Sequence, residues 1–196
     1  MKEIIKTNNK MNKTREEAEK LLRAYIKNDK MIAHSYASEV VLRALAVKFK
    51  EDEEKWAMAG LLHDLDVEIT NANPKTHGLD AEKILKENKY DDEMIDAIKM
   101  HNEEAHGLKR NTKFQFALAA GETITGLIMA TALVYPDKKL ENVKVKSITK
   151  RMKEKAFAAT VNRETIMECE KLGLTLDEFA EISLIAMKTI SDKIGL

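Results

Sequence analysis

Apolar residues recur every three to four positions along most of the chain, in stretches separated by short polar breaks. Thr14 followed by Glu16 and Glu17 reads as an N-cap with first-turn acids, and Leu21, Leu22, Tyr25 and Ile26 form the stripe of a first helix. After the Asn28-Asp29 break, residues 30–49 predict a second helix with Ala33, Ala37, Val40, Val41, Ala44 and Leu45 on one face. Asp52 opens a third, through Trp56, Ala59, Gly60 and Leu62, that ends near His63-Asp64. Residues 71–74 predict a loop, because Pro74 restrains Asn73. Helices are expected again over 79–88 and 91–101, and the polar stretch 102–111 leads to a long apolar run, 114–136, that predicts a central buried helix ended by Pro136. From Val143 the pattern gives two or three amphipathic helices, punctuated by Gly173 and ending near Ile194. Only Val67-Glu68-Ile69 hints at a strand, so the expected class is all-α.

Composition sharpens this picture in three places. Lys plus Arg equals Asp plus Glu at 33 each, so no global field draws the chain to a nucleic acid polymer or an anionic membrane. The single Cys169 excludes an internal disulfide and fits a reducing compartment. Residues 1–13 offer only Ile4-Ile5 among lysines and asparagines, without a leader-like apolar stretch, and the expected location is cytoplasmic. The 114–136 run is long enough to raise a membrane question. Gln115, Glu122, Thr123, Thr125, Thr131 and two glycines favour a core helix instead.

Glu122 is the one formal charge in that run. A carboxylate taken into an apolar interior stays neutral or finds a cation. The small neighbours Ala119, Gly121 and Gly126 leave room around it, and each interior glycine costs roughly 1 kcal/mol against Ala, which calls for close packing or a ligand. The compensating cation is either a Lys or Arg from another helix or a metal ion.

The histidines favour the metal. All five lie between residues 34 and 106. A single histidine on an apolar face is ordinarily a hydrogen-bonded core residue. Here His34, His63, His77 and His101 each fall on the inward side of a separate predicted helix, and a shared ligand explains four converging imidazoles better than four independent accidents. His106 lies off the face of His101. At a fraying helix end the adjacent His63 and Asp64 side chains can reach one ion. Asp66 is explained nearly as well as an exposed acid near a helix end. Imidazole with carboxylate suits Fe, Mn, Ni, Co or Zn.

His34, then LLHDLD with its His63-Asp64 pair, then an acid on a later helix resembles the HD-domain superfamily of metal-dependent phosphohydrolases. REEAEKLLRAYIKND, AHSYASEVVLRALA, KMHN, TGLIMATALVYP and VKSITKRMKEKAFAATVNRE are similar to a bacterial and archaeal subgroup whose substrate is unsettled. The resemblance implies an HD-domain helical bundle: residues 1–13 as an N-terminal extension, 14–136 as the metal-binding core, and 137–196 as C-terminal helices on the same domain. It implies that His34, His63, Asp64 and Glu122 hold one metal and that Asp64, His77 and His101 hold a second. Glu122 stands where the superfamily pattern has Asp, so the ion or the helix must shift by a methylene.

The implied activity is hydrolysis of a phosphoester, for instance a nucleotide, by a metal-activated hydroxide at a mono- or binuclear site. Asp64 would join the metals, and Asp66 or Glu68 would serve the leaving group as acid. Lys75, Lys109, Arg110 and Lys153 are the candidate phosphate-binding cations, and the partner expected is a small phosphorylated molecule. Two rivals stand beside this: a non-catalytic regulatory or ligand-binding module, and a di-iron oxygenase. The C-terminal helices are candidates for covering the site or for a homodimer contact.

Overall fold

Helix starts follow the capping residues. The structure, a computed structural model, describes residues 13–196, so the expected N-terminal extension lies outside the described residues except for Lys13. α1 (Arg15–Tyr25) opens on a capping box in which the Glu17 N–H donates to Thr14 Oγ1 and the Thr14 N–H donates to Glu17 Oε2. α2 (Asp29–Phe49) is capped by Asn28 and ends at Lys50, whose φ of 58° is left-handed. Asp52 caps α3 (Glu53–Leu62). Thr112 and Gln115 form a second capping box at the head of α6 (Lys113–Leu133).

Between α3 and α4 (Leu79–Glu87) the chain makes turns rather than the hinted strand. The N–H groups of Val67, Thr70 and Ala72 donate to the carbonyls of Asp64, Asp66 and Val67. Three apolar-flanked residues without a partner strand satisfy their backbone locally. No strand occurs among the described residues.

α6 occupies the centre, with Ala117, Leu118, Ala120, Ile124, Leu127 and Ile128 fully buried. It is the one helix among the described residues long and apolar enough to cross a membrane, but 61% of that stretch is buried inside the fold. It stops at Leu133, one cap residue short of Tyr135, whose helical backbone Pro136 disfavours. Its glycines are explained by close approach. A Cβ at Gly121 would lie 2.8 Å from Leu42 of α2, and one at Gly126 would lie 3.3 Å from Val161. At the crossing of α2 and α3 a Cβ on Gly60 would lie 2.5 Å from the Ser38 carbonyl oxygen.

α5 (Asp92–Met100) packs on α4 and α6. The tail holds four helices where two or three were expected: α7 (Val145–Met152), α8 (Arg163–Met167), α9 (Leu176–Lys188) and α10 (Ser191–Ile194). The Asn162 cap and the left-handed Gly173 split it into shorter pieces. These helices extend the same core through Ile148, Ile166, Cys169, Phe179 and Leu184. α10 returns to the N-terminal half, where Lys193 sits 3.6 Å from the centre of the Tyr36 ring.

The Gly60 contact gives a stability test. Gly60→Ala forces a methyl group against backbone that cannot move aside, and the expected loss is about 1–3 kcal/mol in denaturant unfolding. An unchanged midpoint would contradict the close crossing of α2 and α3.

Candidate metal centre

Five elements converge on one carboxylate. α2 contributes His34, the end of α3 contributes His63 and Asp64, the residue pair before α4 contributes His77, the C-cap of α5 contributes His101, and α6 contributes Glu122. α3 stops at Leu62, and the chain turns so that the adjacent His63 and Asp64 side chains face the same point, Nε2 to Oδ2 at 3.3 Å.

The hydrogen bonds at the outer ring nitrogens decide the chemistry of the inner ones. His63 Nδ1 donates to the Gly60 carbonyl at 2.8 Å, and His101 Nδ1 donates to the Ile98 carbonyl. Thr125 donates its hydroxyl proton to the Glu122 carbonyl at 2.7 Å, so its oxygen accepts from His34 Nδ1 at 2.9 Å. His77 Nδ1 lies 2.8 Å from Asp66 Oδ1, off the ideal hydrogen-bond line but facing an acceptor. Each Nδ1 is therefore a donor, and each neutral ring offers a bare Nε2 lone pair inward.

These lone pairs face one another. His34 Nε2 and His63 Nε2 are 3.2 Å apart, and His77 Nε2 and His101 Nε2 are 2.9 Å apart. Asp64 stands between the pairs. Its Oδ2 is 3.6 Å from His34 and 3.3 Å from His63, while its Oδ1 is 3.0 Å from His77 and 3.6 Å from His101. Glu122 Oε2 lies 3.6 Å from His34 Nε2, and no Lys or Arg pairs with it among the described residues. His34, His63 and Glu122 form one group of donor atoms able to hold a metal ion, and Asp64, His77 and His101 form another, each within 4.8 Å. Ligands bound at about 2.0–2.1 Å to a single ion lie about 2.9–3.4 Å apart, so both imidazole pairs fit.

Without a cation the cluster is electrostatically strained. Burial, reinforced by the charge of His63, pushes His34 down to about 4, and burial with His77 pushes His101 down to about 3. Burial raises Glu122 to about 7. Burial would also lower His77, but hydrogen bonds and charge from Asp64 and Asp66 lift it to about 10. Against the same burial, His63 and His77 hold Asp64 well below the usual carboxylate range.

The family model of the HD domain matches residues 31–161, more than half of the chain. The chain belongs to the HD-domain family. The match runs past Pro136 into the segment before α8. No curated protein and no solved structure matches the chain significantly.

Other residues read from the HD-domain sequence are placed less uniformly. Asp66 is fully buried beneath His77, with Oδ2 accepting from the N–H groups of Gly78, Asp80 and Ala81. Gly78 has no side chain to cap α4, and Asp66 does so from a distance. Glu68 lies on the surface, where Oε1 accepts from Lys27 N and Asn28 N ahead of α2. Neither acid lines the cleft that opens above Asp64, a hollow of about 590 Å³. Among the expected phosphate-binding cations, Lys75, Lys109 and Lys153 also fall outside it, and only Arg110 lines it. Arg110 is bound bidentately to Glu168 at 2.7 Å, and its Nη1 donates to the Met100 and His101 carbonyls. It ties the end of α5 to the C-terminal helices. Sequence reasoning missed Thr125, although its position three after Glu122 on a helix was a usable signal. It also missed Thr160, Asn162 and Thr165, which line the cleft only because α8 packs on α6.

Two outcomes are expected. Asp66→Asn replaces one acceptor face with a donor, so metal affinity in a chelator competition should fall 10–100-fold, and unchanged affinity would contradict the role of Asp66. The second concerns pH. Free His77 keeps its proton up to about 10, above the unfolded value, so its stabilising contribution is full below about 6.5 and is lost as pH rises toward 10. Metal binding must expel that proton and strengthens over the same range. The gain in Tm on adding metal should therefore widen from pH 7 to 9, and a narrowing gain would contradict it.

Proposed function

We propose that this HD-domain protein is a metal-dependent phosphohydrolase acting on a small phosphorylated molecule. The observation that carries the reading is the facing of inward Nε2 atoms, 3.2 and 2.9 Å apart, on either side of Asp64 in the cleft. His34, His63, Asp64 and Glu122 would hold one ion, and Asp64, His77 and His101 would hold a second. Divalent Fe, Mn, Ni, Co or Zn bound there supplies Lewis acidity that lowers the pKa of water and neutralises phosphoryl oxygens.

The chain's own residues set the geometry for that chemistry. Thr125, the Gly60 and Ile98 carbonyls and Asp66 fix each imidazole with its Nε2 inward. Glu122 and Asp64 bring the negative charge that would retain the ions. In the overall reaction the oxygen of water forms a new P–O bond and the ester P–O bond breaks. The departing oxygen takes up a proton released by that water, leaving an alcohol and inorganic phosphate. Asp66 and Glu68, which do not line the cleft, take no part in that transfer.

The test is a phosphoester screen of protein reconstituted with each of the five metals. Hydrolysis is expected with at least one, and Asp64→Asn should reduce kcat/KM by about 10³-fold, or about 4 kcal/mol. A metal-loaded protein that cleaves no phosphoester, or an Asp64→Asn variant of undiminished activity, would contradict the assignment.

A further inference from the structure

The charge around the cleft narrows the substrate. Beyond the metal-facing Asp64 and Glu122, the charged side chains lining it are Glu103, Glu104 and Arg110. Arg110 cannot serve as a free anion receptor. Its side chain is 6% exposed, and four of its five N–H bonds are directed to Glu168 and to the Met100 and His101 carbonyls. Glu103 is held by Lys109 and by the Arg110 N–H, and Glu104 is exposed with no cation paired to it among the described residues. Lys153, with Lys146 and Lys150, lines a separate hollow.

The opposite wall is uncharged and polar. Thr160, Asn162 and Thr165 reach the cleft from the C-terminal segment, with Val161 between them. Asn162 Oδ1 caps α8 through Glu164 N and Thr165 N, and among the described residues no hydrogen bond engages its amide N–H groups or the side-chain hydroxyls of Thr160 and Thr165. A cleft of about 590 Å³ is of the size that takes a small molecule.

Resting on the phosphohydrolase reading, we infer that the site takes a phosphomonoester whose phosphoryl group is its only anion, carried on an uncharged, hydroxylated body such as a sugar or nucleoside. The phosphoryl group would sit at the His34, His63, Asp64, His77, His101 and Glu122 cluster, and Thr160, Asn162 and Thr165 meet the hydroxyls. Additional phosphates would find Glu103 and Glu104 and, among the described residues lining the cleft, no free cation, which disfavours polyphosphates.

The experiment compares ribose 5-phosphate, AMP, ADP and ATP on the metal-reconstituted protein at fixed free metal. At least tenfold higher kcat/KM is expected for the two monophosphates than for ADP or ATP. Glu104→Lys, a change at an exposed position, is expected to raise the ATP-to-AMP ratio of kcat/KM about tenfold. A preference for ADP or ATP in the native protein, or a ratio unmoved by Glu104→Lys, overturns the inference while leaving the phosphohydrolase intact. Loaded protein that cleaves none of the four, nor any other phosphoester, overturns both.

Discussion

Four imidazole nitrogens crowd around the Asp64 carboxylate, and the Glu122 carboxylate stands beside one of them, His34. Lone pairs 2.9–3.2 Å apart repel unless a positive charge lies between them. Protons can supply that charge, as they do on His77 when it is raised to about 10. A divalent ion supplies it better, because it accepts all the lone pairs at once and needs no ring to become cationic. Glu122, whose charge burial in the central helix disfavours, would then be a ligand rather than a burial penalty.

The fold serves to hold these groups against their mutual repulsion. Gly60 and Gly121 let α2, α3 and α6 approach closely enough for His34, His63 and Glu122 to meet. Asp66 fastens the start of α4 beneath His77, and Arg110 fastens the end of α5 beside His101. Through Glu168 that second anchor reaches into the C-terminal helices, which also furnish one wall of the cleft. The tail is thus bound mechanically to the metal-facing residues as well as shaping what can approach them.

Much of this was legible in the residue pattern. The Thr14 cap, the Asn28-Asp29 break and the Asp52 opening marked helix starts to within a residue, because such side chains satisfy N–H groups that the helix itself cannot. The His34, His63-Asp64, His77, His101 and Glu122 set stood out because several ionisable residues on inward faces need a common cause. What escaped was set by long-range contact. Asp66 and Glu68 look alike beside the His-Asp pair, yet one is buried as a cap on α4 and the other bonds backbone before α2. Arg110 carries no local sign that Glu168, 58 positions later, will engage it. Lys75 and Lys109, near His77 and His101 in sequence, do not line the cleft, since proximity along the chain says nothing about where a long side chain ends.

The most direct measurement is metal content per chain by elemental analysis, on protein purified without chelator and after reconstitution with Fe, Mn, Co, Ni and Zn. The account predicts a value approaching two ions per chain that drops to one when His77 and His101 are both changed to Ala. No bound metal under any of these conditions would contradict it, and the cluster around Asp64 would then be a proton-bridged core in a protein that kept the HD fold without its chemistry.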